Sequence, residues 1–147
     1  MAGGSNVTGD FAGLGLLIAN LGKLAEVPSQ AASAASVQIT KSLRAQFVNG
    51  VDPYGKPWAA LRPSTLRSGR RPPPLTDSGK LAAGTGAKPM GRAGISLTVG
   101  APYGVFHQTG TKNMAKRRIL PDGAMPKAWS AILKQAASDA IRKRLGR

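Results

Sequence analysis

Six of the chain's eleven prolines fall between Val51 and Leu81, in VDPYGKPWAALRPSTLRSGRRPPPLTDSGKL, and they separate what can be regular from what cannot. Proline has a fixed φ and no amide hydrogen, so it ends helices and stays out of central strands. Long helices are therefore confined to the residues before Val51 and after Pro121. Within the proline-rich stretch, Pro72 to Pro74 are consecutive, and eight basic residues between Lys56 and Arg92 face one acid, Asp77. Charge repulsion and proline stiffness together predict an extended, solvated basic loop over 62–92.

The flanking segments carry periodic patterns. Residues 1–10 are rich in Gly, Ser and Asn and read as a flexible arm, leaving 11–147 as a single domain. Leu14, Leu17, Ile18, Leu21, Leu24 and Ala25 form one apolar helical stripe, weakened by Gly13, Gly15 and Gly22. Pro28 suits the first turn of a second helix, with Ala32, Ala35, Ile39, Leu43 and Phe47 on its inner face and Asn49-Gly50 as its stop. GISLTVG alternates as a half-buried strand, with Ile95, Leu97 and Val99 on one side. YGVFHQTG reads as its hairpin partner, placing Tyr103, Val105 and His107 on one face and Phe106 on the other. KRRILP reads as a short edge strand. The last helix starts near Pro126 and buries Trp129, Ile132, Leu133, Ala136, Ala140 and Ile141. The sum is an α+β fold: N-terminal helices, an antiparallel sheet with a long extended loop, and a C-terminal helix packed on the sheet.

Charge narrows the partners. Lys and Arg number 21 against 6 acids, a net +15, and such an excess calls for nucleic acid, an anionic surface or acidic proteins. With no cysteine there is no disulfide, thiolate metal site or Cys nucleophile. The N-terminus lacks the pattern of a secretory signal, and FAGLGLLIANLGKLAEV is too short and too interrupted to span a bilayer. A soluble chain without membrane contact is expected.

His107, the single histidine, stands in APYGVFHQTG as a candidate base, metal ligand or structural residue. One His and six scattered acids do not make a metal site. Asp77 and Ser78 could be grouped with His107 as a triad, but most small proteins offer such a trio, and no G-x-S-x-G elbow is present. GTGAKPMG and SGKL fail the phosphate-loop pattern at Pro89 and Leu81. No catalytic, cofactor or metal residue is assigned. Arg67, Arg70 and Arg71, with Arg142, Lys143 and Arg144 at the C-terminus, are candidate contacts to a partner or to DNA. No zinc-finger spacing or aromatic-interleaved pattern accompanies them.

Four pieces, FVNGVDPYGKPWAAL, LTDSGKL, ISLTVGAPYGVFHQTG and RRILPDGAMPKAW, occur in this order over 47–145. Together they resemble the phage virion morphogenesis family of Mu-like phages, the tail completion or neck proteins. Asp52, Gly55 and Trp58 match the first element, Asp77, Gly79 and Leu81 the second, Tyr103, His107 and Gly110 the third, and Arg118, Leu120 and Pro121 the fourth. The resemblance implies a structural virion protein without cofactor. Its subunits would form a ring, expected to be a hexamer, at the head–tail junction, touching connector or head-completion and tail proteins, with genome DNA in the lumen. Assembly would take place in the host cytoplasm. A basic, non-specific nucleic-acid-binding accessory protein is the alternative. His107 is then expected to pin the hairpin by hydrogen-bonding a nearby loop or the Asp77 region.

Overall fold

The computed structural model describes residues 19 and 21–146. The proposed N-terminal arm and Leu14, Leu17 and Ile18 of the first predicted helix lie outside them. Residues 21–24 are helical, and Leu24 packs on Val27, Ala31 and Ala140.

The first long element, α1 (Val27–Asn49), carries Pro28 in its opening turn and ends at Gly50, whose φ of 66° lets its N–H reach the Gln46 carbonyl. Ala31, Ala32, Ala35, Ile39, Leu43 and Phe47 are buried along one stripe, as the spacing predicts. Small residues occupy its first half, where α5 (Lys127–Leu145) crosses it, and Ala140 meets Ala31. Ile39, Leu43 and Phe47 fill the wider space farther along. On α5, Trp129 is buried and donates its indole N–H to Ser42 Oγ at 3.2 Å. Ile141, expected on the inner face, is exposed, because the apolar contact ends at Ala140.

The two-stranded antiparallel sheet pairs β1 (Gly86–Met90) with β2 (Gly94–Thr98), in the register Gly86↔Thr98 to Met90↔Gly94. GISLTVG is thus a strand, but its partner precedes it. Thr40 on α1 substitutes for a third strand: its hydroxyl accepts from Ala87 N–H at 2.9 Å and donates to Ala87 C=O at 3.2 Å. Ala87, Ile95 and Leu97 then join Ile39, Leu43, Trp129, Ile132 and Leu133 in one apolar cluster, which sets the C-terminal helix against the sheet.

YGVFHQTG is not a strand but a short helix, α4 (Gly104–Thr109). Its inner residues are Gly104, His107 and Gln108, which follow the helical i, i+3, i+4 spacing, whereas Tyr103, Val105 and Phe106 are exposed. Alternating Tyr, Val and His had imitated a period of two. Helix α4 seats itself because Gly104 has no side chain: a Cβ there would overlap Val99 and press on Leu81. KRRILP is extended but belongs to no strand; its backbone pairs with side chains, as described below. The predicted 62–92 loop is shorter than expected, since α2 (Pro63–Arg67), α3 (Lys80–Gly84) and β1 fall within it. The proline and arginine run 68–79 remains irregular.

A second cluster, Phe47, Trp58, Leu81 and Ile119, lies beyond the first, and Leu120 packs against both. Beside it α3 and the chain after β2 touch backbone to backbone. A Cβ on Gly100 would stand 2.5 Å from Gly84 Cα and 2.6 Å from the Leu81 carbonyl. Gly100→Ala is therefore expected to lower stability by about 1–3 kcal/mol through overpacking. Gly22→Ala, in a helical turn with nothing within 4 Å, should gain about 0.5–1 kcal/mol by helix propensity. Chemical denaturation of both variants checks the contrast.

Candidate functional site

The four sequence pieces come together in the fold. In the first, Asp52 Oδ1 accepts from the N–H groups of Tyr54 (2.9 Å) and Lys56 (2.8 Å), while the Asp52 N–H reaches the Lys56 carbonyl. The carboxylate thus closes a tight turn in which Gly55 has φ 83°. That turn delivers Trp58 to the core, edge-on to Phe47 with ring centroids 5.4 Å apart. Its indole N–H donates to the Arg118 carbonyl at 2.7 Å, in the fourth piece. Tyr54 adds its hydroxyl to the Ala124 carbonyl (2.8 Å), and the Arg118 guanidinium stacks 5.4 Å from the Tyr54 ring.

The fourth piece is held like a sheet strand without a sheet. Gln108 Oε1 accepts from the N–H groups of Ile119 (2.8 Å) and Leu120 (2.9 Å), and its Nε2 donates to the Leu120 carbonyl (2.7 Å). Gln46 Nε2 donates to the Ile119 carbonyl (3.0 Å), and the Arg117 N–H to the His107 carbonyl (2.8 Å). Pro121 follows directly and helps line an apolar groove with Ile95, Met125 and Trp129. Lys116 and Arg118 both pair with Asp122, whose carboxyl is held below its usual range chiefly by the Lys116 hydrogen bond. Gln46 and Gln108 escape a sequence reading, because nothing in their spacing distinguishes an amide that brackets backbone from one facing water.

The second and third pieces meet at a cleft of about 440 Å³. Asp77, Ser78, Gly79, Tyr103 and His107 line it, joined by Arg62, Arg70 and Arg117. Gly79, at φ 72°, caps α3, and Gly110, at φ 75°, ends α4 against Lys116 outside the cleft. Arg117 is buried, its Nε and Nη2 donating to the carbonyls of Ala59 (2.7 Å) and Ala60 (2.9 Å). Burial, and then the Arg62 charge, lower the Arg117 pKa from its ordinary value. Its burial could not be read from a run of three consecutive basic residues, Lys116 to Arg118.

His107 does not make the expected bond to the Asp77 region. It stands edge-on to Tyr103, with ring centroids 6.2 Å apart, and its enclosed Nδ1 has no hydrogen-bond partner among the described residues. Asp77 pairs instead with Arg70 at 3.5 Å, and Ser78 Oγ faces the Lys80 N–H at 3.4 Å. Ser78, His107 and Asp77 thus share a cleft without the hydrogen bonds that activate a nucleophile. Burial first, and the Arg117 charge second, hold the imidazole below its ordinary pKa of 6.5.

The other candidate contacts lie apart from the cleft. Arg142 pairs with Asp139, and Arg144 with Glu26 across the α1–α5 crossing. Arg67, Arg71 and Lys143 are exposed and have no ion-pair partner among the described residues. Among these residues no group of three His, Asp or Glu could hold a metal, and no helix is long and apolar enough to cross a membrane. Comparison with protein-family models, curated proteins and solved structures gave no match.

Two outcomes follow. Gln108→Leu leaves two backbone N–H groups unpaired beside the buried Ile119, at about 1–3 kcal/mol for each group so stranded. Gln135→Leu, which loses one exposed bond to Asp139, should change stability by less than about 0.5 kcal/mol. The second outcome concerns pH. The folded chain resists protonating His107 more than the unfolded chain does, so as the pH drops below 6.5 the unfolded state binds more protons and stability decreases. His107→Gln should keep the fold and flatten that part of the profile, as read by thermal melts above and below 6.5.

Proposed function

We propose that this chain is a non-enzymatic structural subunit of a phage virion, a tail completion or neck protein. In this reading it assembles in the host cytoplasm into a ring, taken as a hexamer, at the head–tail junction and joins tail to connector. One observation supports the reading: the four separated pieces pack on one another, and residues within them act as turn formers, caps and brackets. Asp52 closes a turn, Trp58 holds the Arg118 carbonyl, and Gly79 caps a helix. Such residues build a scaffold whose work lies on its outer surface. That surface offers Tyr103, Val105 and Phe106, all exposed along α4. Contiguous apolar groups of this kind mark faces that neighbours cover.

The second reading, a basic nucleic-acid-binding accessory protein, is favoured by Arg67, Arg71 and Lys143, which no described acid neutralises. It requires DNA affinity that falls steeply with salt and is lost when these three are neutralised.

Light scattering after gel filtration, with electron microscopy of the peak, separates the two. A ring is expected for the purified chain or its mixture with connector proteins, and Phe106→Glu should leave folded monomers. A monomer under both conditions, or absence of the chain from purified particles, would overturn the structural reading.

A further inference from the structure

The cleft between α2, α3 and α4 holds more positive charge than it can satisfy. Arg62, Arg70 and Arg117 line it, and Asp77 is the sole carboxylate among its described lining residues. Arg117 cannot swing away, because two carbonyls fix its Nε and Nη2. Arg62 precedes α2 closely enough for its charge to act on Arg117. Guanidinium groups that line one concave, partly apolar surface focus a positive potential that an anion would relieve. Nor can the described part of the chain supply that anion. Glu26 is taken by Arg144, Asp52 by its turn, Asp77 by Arg70, Asp122 by Lys116 and Arg118, and Asp139 by Gln135 and Arg142.

We infer that this cleft is a docking site for a carboxylate-bearing peptide segment of another protein, with Arg62, Arg70 and Arg117 receiving the acid and Leu75, Leu81 and Met114 receiving an adjoining apolar side chain. The volume of about 440 Å³ suits a short segment better than a lone ion. Apolar residues among the cations argue for a peptide over a polynucleotide, whose evenly spaced phosphates match an open basic strip. The exposed Arg70–Asp77 pair, at 3.5 Å, yields readily to an incoming carboxylate, since such surface pairs contribute little. The inference rests on the assembly reading only for the source of the segment.

The single histidine supplies the test. His107 lines the cleft among Arg62, Arg70, Arg117, Asp77 and Tyr103, so its imidazole proton resonances report on occupancy without assignment ambiguity. The full chain is titrated with an acetylated, amidated Glu-Leu-Glu-Leu peptide, its Gln-Leu-Gln-Leu counterpart and a short oligothymidylate. The glutamate peptide should shift the His107 resonances and raise the imidazole pKa, while the glutamine peptide should do neither. Arg62→Gln with Arg70→Gln, both exposed and outside the core, should weaken the glutamate peptide at least about tenfold, the loss expected when charge-assisted hydrogen bonds go. Arg142→Gln with Lys143→Gln removes equal charge from residues that line no part of the cleft, and should change affinity less than about twofold if only general attraction is lost. Equal weakening by both pairs, unmoved His107 resonances, or displacement of the peptide by oligothymidylate would each overturn the site. A chain that forms rings yet ignores the glutamate peptide defeats this inference alone; peptide binding by a chain that never assembles defeats only the ring.

Discussion

The fold depends on how residues 117–120 are held. This segment carries Ile119, fully enclosed, and Leu120, which touches both large apolar clusters. An extended backbone in that position must find partners for its polar groups or forfeit about 1–3 kcal/mol for each one left bare. A third strand would be the usual solution, but the sheet stops at two. Side chains do the work instead: Gln108 makes three bonds to the segment, and Gln46 and Trp58 make one each, to its carbonyls. They come from α1, from the 50–58 turn and from α4, so the segment ties these three elements together. Thr40 does the same for β1 on a smaller scale, with one hydroxyl as both donor and acceptor. A small, proline-rich chain thus obtains the hydrogen bonding of a larger sheet without its length.

This economy explains which parts of the architecture were legible in the sequence. Helices α1 and α5 announce themselves because many turns of burial repeat the same spacing, from Ala31 to Phe47 and from Trp129 to Ala140. Strand β2 shows for the matching reason, as Ile95 and Leu97 alternate with Ser96 and Thr98. Strand β1 is hidden because Gly86, Lys88 and Pro89 lack a strand pattern, and Thr40 and the pairing to β2 impose the conformation from outside. Helix α4 spans less than two turns, too few to distinguish a helical period from alternation, and its decisive residue is the absence of a side chain at Gly104. The four quoted pieces were visible as pieces, but their contacts with one another were not. The cleft was invisible for the same reason, since Arg62, Arg70 and Arg117 become neighbours only once the fold closes.

Charge is organised more tightly than a net of +15 implies. Each described carboxylate already has a task, mostly as a tie between elements or across a turn. Glu26 joins the start of α1 to the end of α5, and Asp122 gathers Lys116 and Arg118 after the bracketed segment. The surplus cations are therefore a property of the surface and not of the core, with Arg117 as the buried exception. Copies of such a subunit repel one another beyond contact range. Salt weakens this, with a screening length of about 10 Å at 0.1 M. Any assembly of these copies must draw its attraction from apolar contact or from acids on other chains.

Helix α4 connects these two sources. Its outer side presents Val105 and Phe106 to solvent, and its inner side carries Gln108, which brackets the segment at Ile119, and His107, which lines the cleft. Gly104 seats the helix closely, since a Cβ there would overlap Val99 and press on Leu81. A neighbour resting on Phe106 and an acid entering the cleft would meet different sides of this helix, the first its outer face and the second the side that carries His107. Outer face, cleft and bracket belong to one six-residue helix, so the segment that the rest of the fold requires is held by the same element that offers both surfaces.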